Sequence, residues 1–131
     1  MYNCLKYFKK CHEGELRHIL KNSLSLRSIG IKEHAFNYNV VKKILASCQD
    51  NKIAILGGDV LALNDNKEPF YTHDNWSVNT DDYENYDSFV EASINKSYNY
   101  IESHRYKTDR LFVFVLCPTK ADFIISKHSL S

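Results

Sequence analysis

The chain has 131 residues, 44% of them apolar, a mass of 15.3 kDa and a formal net charge of +1, which fits one globular domain with a single core and argues against extended disorder. No apolar run approaches the roughly 20 residues needed to span a bilayer, and the N-terminus mixes lysines with aromatics where a signal peptide would carry an apolar core; a cytoplasmic protein without membrane association is expected. The small net charge conceals a segregation: residues 1–52 carry ten Lys/Arg and four Asp/Glu, residues 53–91 one and nine, and residues 92–131 six and three.

Cys4, Cys11, Cys48 and Cys117 are scattered, and no two stand two to four residues apart as zinc-finger ligands do. Free thiols in a reducing compartment are expected. A metal cluster of Cys4, Cys11, His12 and His18 has the wrong spacing, and a domain of this size does not need a disulfide framework.

In chain order, Leu16, Ile19, Leu20 and Leu24 recur at three- and four-residue spacing and predict an amphipathic helix, while residues 1–10 fit a helix or an edge strand. Ser25 caps a short second turn through Leu26 and Ile29. Gly30 stands where a helix ends in the left-handed conformation, with Ile31 placed to fold back onto Leu26. Asn37 caps the next helix, whose inward stripe is Val41, Ile44, Leu45 and Cys48. Residues 53–56 and 60–63 form a β run interrupted by Gly57-Gly58, a place for a bulge or a close backbone approach. Residues 64–67 are a turn, and 70–72 return as the second strand of a hairpin.

After a polar loop at 79–84, Asn85 or Ser88 caps the longest helix, with the stripe Phe89, Val90, Ile94, Tyr98 and Ile101. Residues 111–116 are apolar on both parities, the pattern of a central strand. Pro118 ends it, and 123–125 add an edge strand. Helices fall before, between and after strands without regular βαβ alternation. A single α+β domain over residues 1–131 follows, with a mostly antiparallel sheet of about three to five strands packed with about three to four helices.

Asp59 shares the parity of Ile53, Ile55, Leu61 and Leu63, so unless a bulge at Gly57-Gly58 shifts the phase it points to the apolar side, where a carboxylate must be hydrogen-bonded or paired. The favoured role is structural: Asp59 accepts backbone N–H groups or the Trp76 indole N–H and pins Asp74-Asn75-Trp76 to the sheet. The alternative is a small metal-dependent enzyme in which Asp59, His73 and Asp74 bind a divalent cation, or act as acid and base, beside Trp76. Adjacent strand residues point to opposite faces, so His73 and Asp74 do not converge, and no third ligand is signalled. His34, His104 and His128 lie outside any ligand-spaced motif. There is no Gly-x-Ser-x-Gly elbow and no phosphate-cradling loop; no catalytic residue, metal or cofactor is expected. Lys6-Tyr7-Phe8-Lys9-Lys10 is a small basic, aromatic stretch that a solvated helix explains as well as nucleic-acid binding does.

Asp81-Asp82-Tyr83-Glu84-Asn85-Tyr86-Asp87 mixes carboxylates with tyrosines, the composition of a surface that steers a basic partner and anchors it with aromatic rings. The dipole of the following helix also favours acids there.

Taken in order, the stretch from Ser25 through Leu26, Arg27, Ser28, Ile29 and Gly30 to Ile31, the run from Ile53 to Val60 with Gly57-Gly58-Asp59, then Asp74-Asn75-Trp76, a helix bearing Tyr and Phe, and the strand at 111–116 resemble the immunity protein 40 family of bacterial polymorphic toxin systems. The resemblance covers about Ser25 to Leu116. It implies a stoichiometric inhibitor, without catalysis of its own, that binds the toxin domain encoded beside it. It accounts for Gly57, Gly58, Asp59, Asp74 and Trp76 as scaffold or shared-site residues, with Gly57, Gly58, Asp59 and Trp76 taken as a structural motif, and places specificity in the acidic loop. The candidate toxin-binding residues are Asp74, Trp76, Asp81, Asp82, Tyr83, Glu84 and Tyr86, facing a toxin with a basic surface.

Overall fold

The computed structural model describes residues 19, 23–31 and 33–128. Five strands, β1 (Ser23–Ser25), β2 (His34–Asn37), β3 (Ala54–Leu63), β4 (Pro69–Ser77) and β5 (Leu111–Cys117), pair antiparallel in the order β1-β2-β5-β3-β4. Among the described residues three helices, α1 (Tyr38–Asp50), α2 (Tyr86–Glu102) and α3 (Lys120–His128), complete an α+β domain. β5 is central, paired with β2 on one side and β3 on the other, as its two-sided apolar pattern requires.

Local chemistry sets the element ends. Gly30 is left-handed (φ 80°) and donates to Arg27, while Ile31 N–H donates to the Leu26 carbonyl at 3.1 Å and its side chain packs against the cluster that contains Leu26. Asn37 Oδ1 accepts from Val40 N–H and Asn85 Oδ1 from Ser88 N–H, capping α1 and α2. α1 buries Val41, Ile44, Leu45 and Cys48.

Four expectations are corrected. Leu24 lies in β1 opposite Ala35, not on a helical stripe; of that stripe only Ile19 is otherwise described, and it is buried. Residues 123–125 belong to α3, not to an edge strand, because Thr119 Oγ1 accepts from Asp122 N–H and donates to Asp122 Oδ2, a cap that starts a helix. β2 was not anticipated, being four residues with two apolar side chains. In α2, Tyr98 is 40% exposed, while Ser93 and Ser97 are fully buried. The cysteines at 4 and 11, His12, His18 and the stretch at 6–10 lie outside the described residues.

The helices cover one face of the sheet. There Phe36, Ile55, Val60, Phe112, Phe114 and Leu116 meet the apolar sides of α1 and α2 in the main core. The opposite face holds a smaller cluster of Leu26, Ala35, Leu61 and Val113.

Candidate functional site

β3 carries an extra residue at Leu56, seen as a register step from Ile55↔Leu116 to Gly57↔Val115. The step inverts the parity beyond it, so Gly58 and Val60 point to the helices while Asp59 and Leu61 point away. Asp59 therefore does share the face of Leu61, but that is the lesser face, and Asp59 is half-exposed. Its carboxylate has no hydrogen-bond partner among the described residues, and the Trp76 indole N–H goes to Ser97 instead, which corrects the expected anchor.

The anchor is α2. Trp76 is 6% exposed, stacks on Tyr100 at 5.1 Å and meets Phe114 edge-on at 5.8 Å. Its Nε1–H donates to Ser97 Oγ at 2.9 Å, and Ser97 in turn donates to the Ser93 carbonyl. Ser93 Oγ accepts from Ile55 N–H at 2.9 Å and donates to the Val90 carbonyl. Two buried hydroxyls one helical turn apart thus tie β3 and β4 to α2. The glycines make room for the ring: a Cβ on Gly58 would strike the Trp76 ring and the Val113 carbonyl, and one on Gly57 the Trp76 carbonyl, closer in each case than side chains tolerate. The Gly-Gly pair and the tryptophan are therefore one packing unit.

Opposite Val60, β4 bulges. The register runs from Asp59↔Asn75 to Leu61↔Tyr71, leaving 72–74 against one residue, with His73 at φ 72°. Thr72 Oγ1 donates to the Val60 carbonyl and accepts from Asp74 N–H. The bulge carries Asp74 Oδ2 to 3.9 Å from Nε2 of His104, which is buried with Nδ1 against the Tyr100 carbonyl. Burial, and then the Asp74 charge, push the Tyr100 hydroxyl above its usual range. Asp59, His73 and Asp74 do not converge, and among the described residues no group of three His, Cys, Asp or Glu is placed to hold a metal ion. Ser93 and Ser97 escaped sequence reasoning, and His104 was named there only as lying outside any ligand-spaced motif; the spacing of the two serines within the apolar stripe of α2 is the signal that could have found them.

The acidic surface begins with a single 3-10 turn, Thr80–Asp82, held by Asn79 Oδ1 accepting from Asp81 N–H at 3.0 Å. Tyr83 N–H donates to the Thr80 carbonyl, and Lys127 Nζ of α3 donates to the Tyr83 carbonyl at 2.6 Å. Asp81, Asp82 and Glu84 are exposed and make no ion pair among the described residues. Tyr83 is half-buried against Phe89.

Tyr86 and Trp76 depart from the expected surface set. Tyr86 is 8% exposed, and its hydroxyl lies 2.5 Å from the Lys52 carbonyl and 2.9 Å from that of Cys117. Burial pushes that hydroxyl up to about 12. Both rings belong to the core, so neither offers a face to a partner, while Asp74 stays at the surface.

The fold thus presents a pinned acidic turn beside the sheet, held by Asn79 and Lys127. A family model for immunity protein 40 matches residues 25–118, well over half of the chain, and the chain belongs to that family. Membership carries with it the neutralisation of a toxin by binding, by proteins that are typically not catalysts. Comparison with curated proteins and with solved structures returned no match. Among the described residues no helix is long and apolar enough to cross a membrane.

Proposed function

We propose that this protein is a stoichiometric, non-catalytic inhibitor that acts in the cytoplasm and docks a basic surface of its cognate toxin domain on the turn bearing Asp81, Asp82, Tyr83 and Glu84. The observation that carries the reading is the pinned turn itself. Three exposed carboxylates, without a cationic partner among the described residues, stand on backbone held by Asn79, Asn85 and Lys127, so little ordering entropy is lost on binding and the charges steer a basic partner. Asp74, at the β4 bulge, is a second candidate contact. The test is to purify the chain with the toxin domain encoded beside it, measure the stoichiometry of the complex, and repeat with Asp81, Asp82 and Glu84 changed to lysine. A one-to-one complex weakened by the triple reversal supports the reading; a complex indifferent to it places the interface elsewhere.

A further inference from the structure

Helices α1 and α2 lie antiparallel, with Lys42 near Glu102 at one end and Gln49 beside Val90 and Glu91 at the other. Between them runs a shallow groove of about 350 Å³ at the Asp87 end and about 370 Å³ toward Tyr98, its two stretches meeting at Gln49, Ile94 and Asn95. α1 exposes Lys42, Ala46 and Asp50, which at four-residue spacing form one stripe. α2 exposes Asp87, Glu91, Asn95 and Tyr98, with Arg105 just beyond its end. The face is therefore dipolar: Lys42 and Arg105, held at 4.0 and 3.6 Å by Glu102, mark one end, and Asp50, Asp87 and Glu91, outnumbering the Lys52 beside them, the other.

Within the monomer, Asp87 is favoured by the N-terminal dipole of α2, but Asp50 and Glu91 have no such support. Asp50 sits in the last turn of α1, where the helix dipole disfavours a carboxylate and which holds no basic residue, the nearest in sequence being Lys52 beyond the cap. Asp87 and Glu91 are like charges one turn apart. None of the three has an ion-pair partner among the described residues. Asp50 and Glu91, set against local preference, find a reason in a partner of the opposite pattern.

We propose that this face is a two-fold interface with a second copy of the chain. With the axis lying across the helices at Ala46 and Asn95, Lys42 meets Asp50 of the second copy, because each stands four residues from Ala46, and the Asp87 end meets the Arg105 end. The small, exposed Ala46 permits close approach at the axis. Helices of this length span about 20 and 25 Å, a contact at the low end of specific interfaces, so the dimer is weak and salt-sensitive. The inference is independent of toxin binding and can be tested on the chain alone.

Sedimentation equilibrium of the full chain from about 5 to about 500 µM, at low salt and at about 0.5 M salt, reads the association directly. A reversible dimer that weakens with salt is expected. Ala46→Glu and Lys42→Asp should each weaken it by about tenfold or more, and Lys42→Asp combined with Asp50→Lys should restore it, with far-UV circular dichroism showing every variant folded. A monomer at all concentrations, a dimer indifferent to Ala46→Glu, or a double reversal that fails to restore association overturns the proposal.

Discussion

The indole N–H of Trp76 donates to the hydroxyl of Ser97 at 2.9 Å, joining an edge strand of the sheet to the middle of its longest helix inside the core. Ser97→Ala leaves that donor buried and unpaired and should cost about 1–3 kcal/mol. Trp76→Ala, which removes the ring from between Tyr100 and Phe114, should cost about 3–5 kcal/mol. Urea unfolding of both variants checks the order; a Ser97→Ala midpoint equal to the parent would show that the bond adds nothing.

Gly58 and Gly30 separate two reasons for a glycine. Beyond Gly30 there is open space, so Gly30→Ala bears only the strain of a left-handed backbone, about 1–2 kcal/mol. Gly58→Ala drives a methyl into the Trp76 ring and the Val113 carbonyl and should lose more than that, in the upper part of the roughly 1–3 kcal/mol range of overpacked cores or beyond it. Equal losses in thermal or chemical unfolding would contradict the packing of Trp76 over the β3 backbone.

Tyr86 links the loop before β3 to the end of β5 through its hydroxyl. Its pKa in the fold, raised by burial to about 12 from 10.0, means that the folded chain keeps a proton that the unfolded chain gives up. The contribution is whole below pH 10 and is lost as the pH rises towards 12. Tyr86→Phe should lower stability at neutral pH by about 1 kcal/mol and flatten the alkaline fall between those two values. Unfolding free energies measured across that window test it, and an unchanged alkaline slope would count against the buried hydroxyl.

Much of this was legible in the residues themselves. The Gly30 stop, the caps at Asn37 and Asn85, the central β5 and a bulge or close backbone approach at Gly57-Gly58 follow from backbone sterics and apolar parity, which act locally, whereas the grouping of those glycines with Trp76 came only from the family resemblance. Asp59 was misread because one extra residue at Leu56 inverts strand parity, and a register step is set by the neighbouring strand, not by β3 alone. Tyr86 was grouped with the acids around it because composition does not distinguish a ring that turns inward from one that turns outward. Ser93 and Ser97 went unnoticed because small hydroxyls on an apolar stripe show their purpose only once Trp76 and Ile55 stand beside them. The acidic turn was visible as charge, but its pinning by Lys127 joins residues 44 apart in sequence.

Tyr83 packs one side of its ring on Phe89 and keeps part of its surface open to solvent. In the proposed complex it is the aromatic anchor of the turn. Tyr83→Ala should chiefly speed dissociation of the toxin domain, by about 2 kcal/mol if the ring is a hot spot, with the association rate nearly unchanged. A dissociation rate equal to the parent would remove Tyr83 from the interface.

The most direct measurement is the association rate of the chain with its neighbouring toxin domain at two ionic strengths, for the parent and for the variant with Asp81, Asp82 and Glu84 reversed to lysine. These side chains are exposed, so folding should be conserved, and steering by opposite charge predicts slower association in the variant together with a weaker dependence on salt. Parental association rates at both ionic strengths, with toxin neutralisation intact, would contradict docking on the acidic turn.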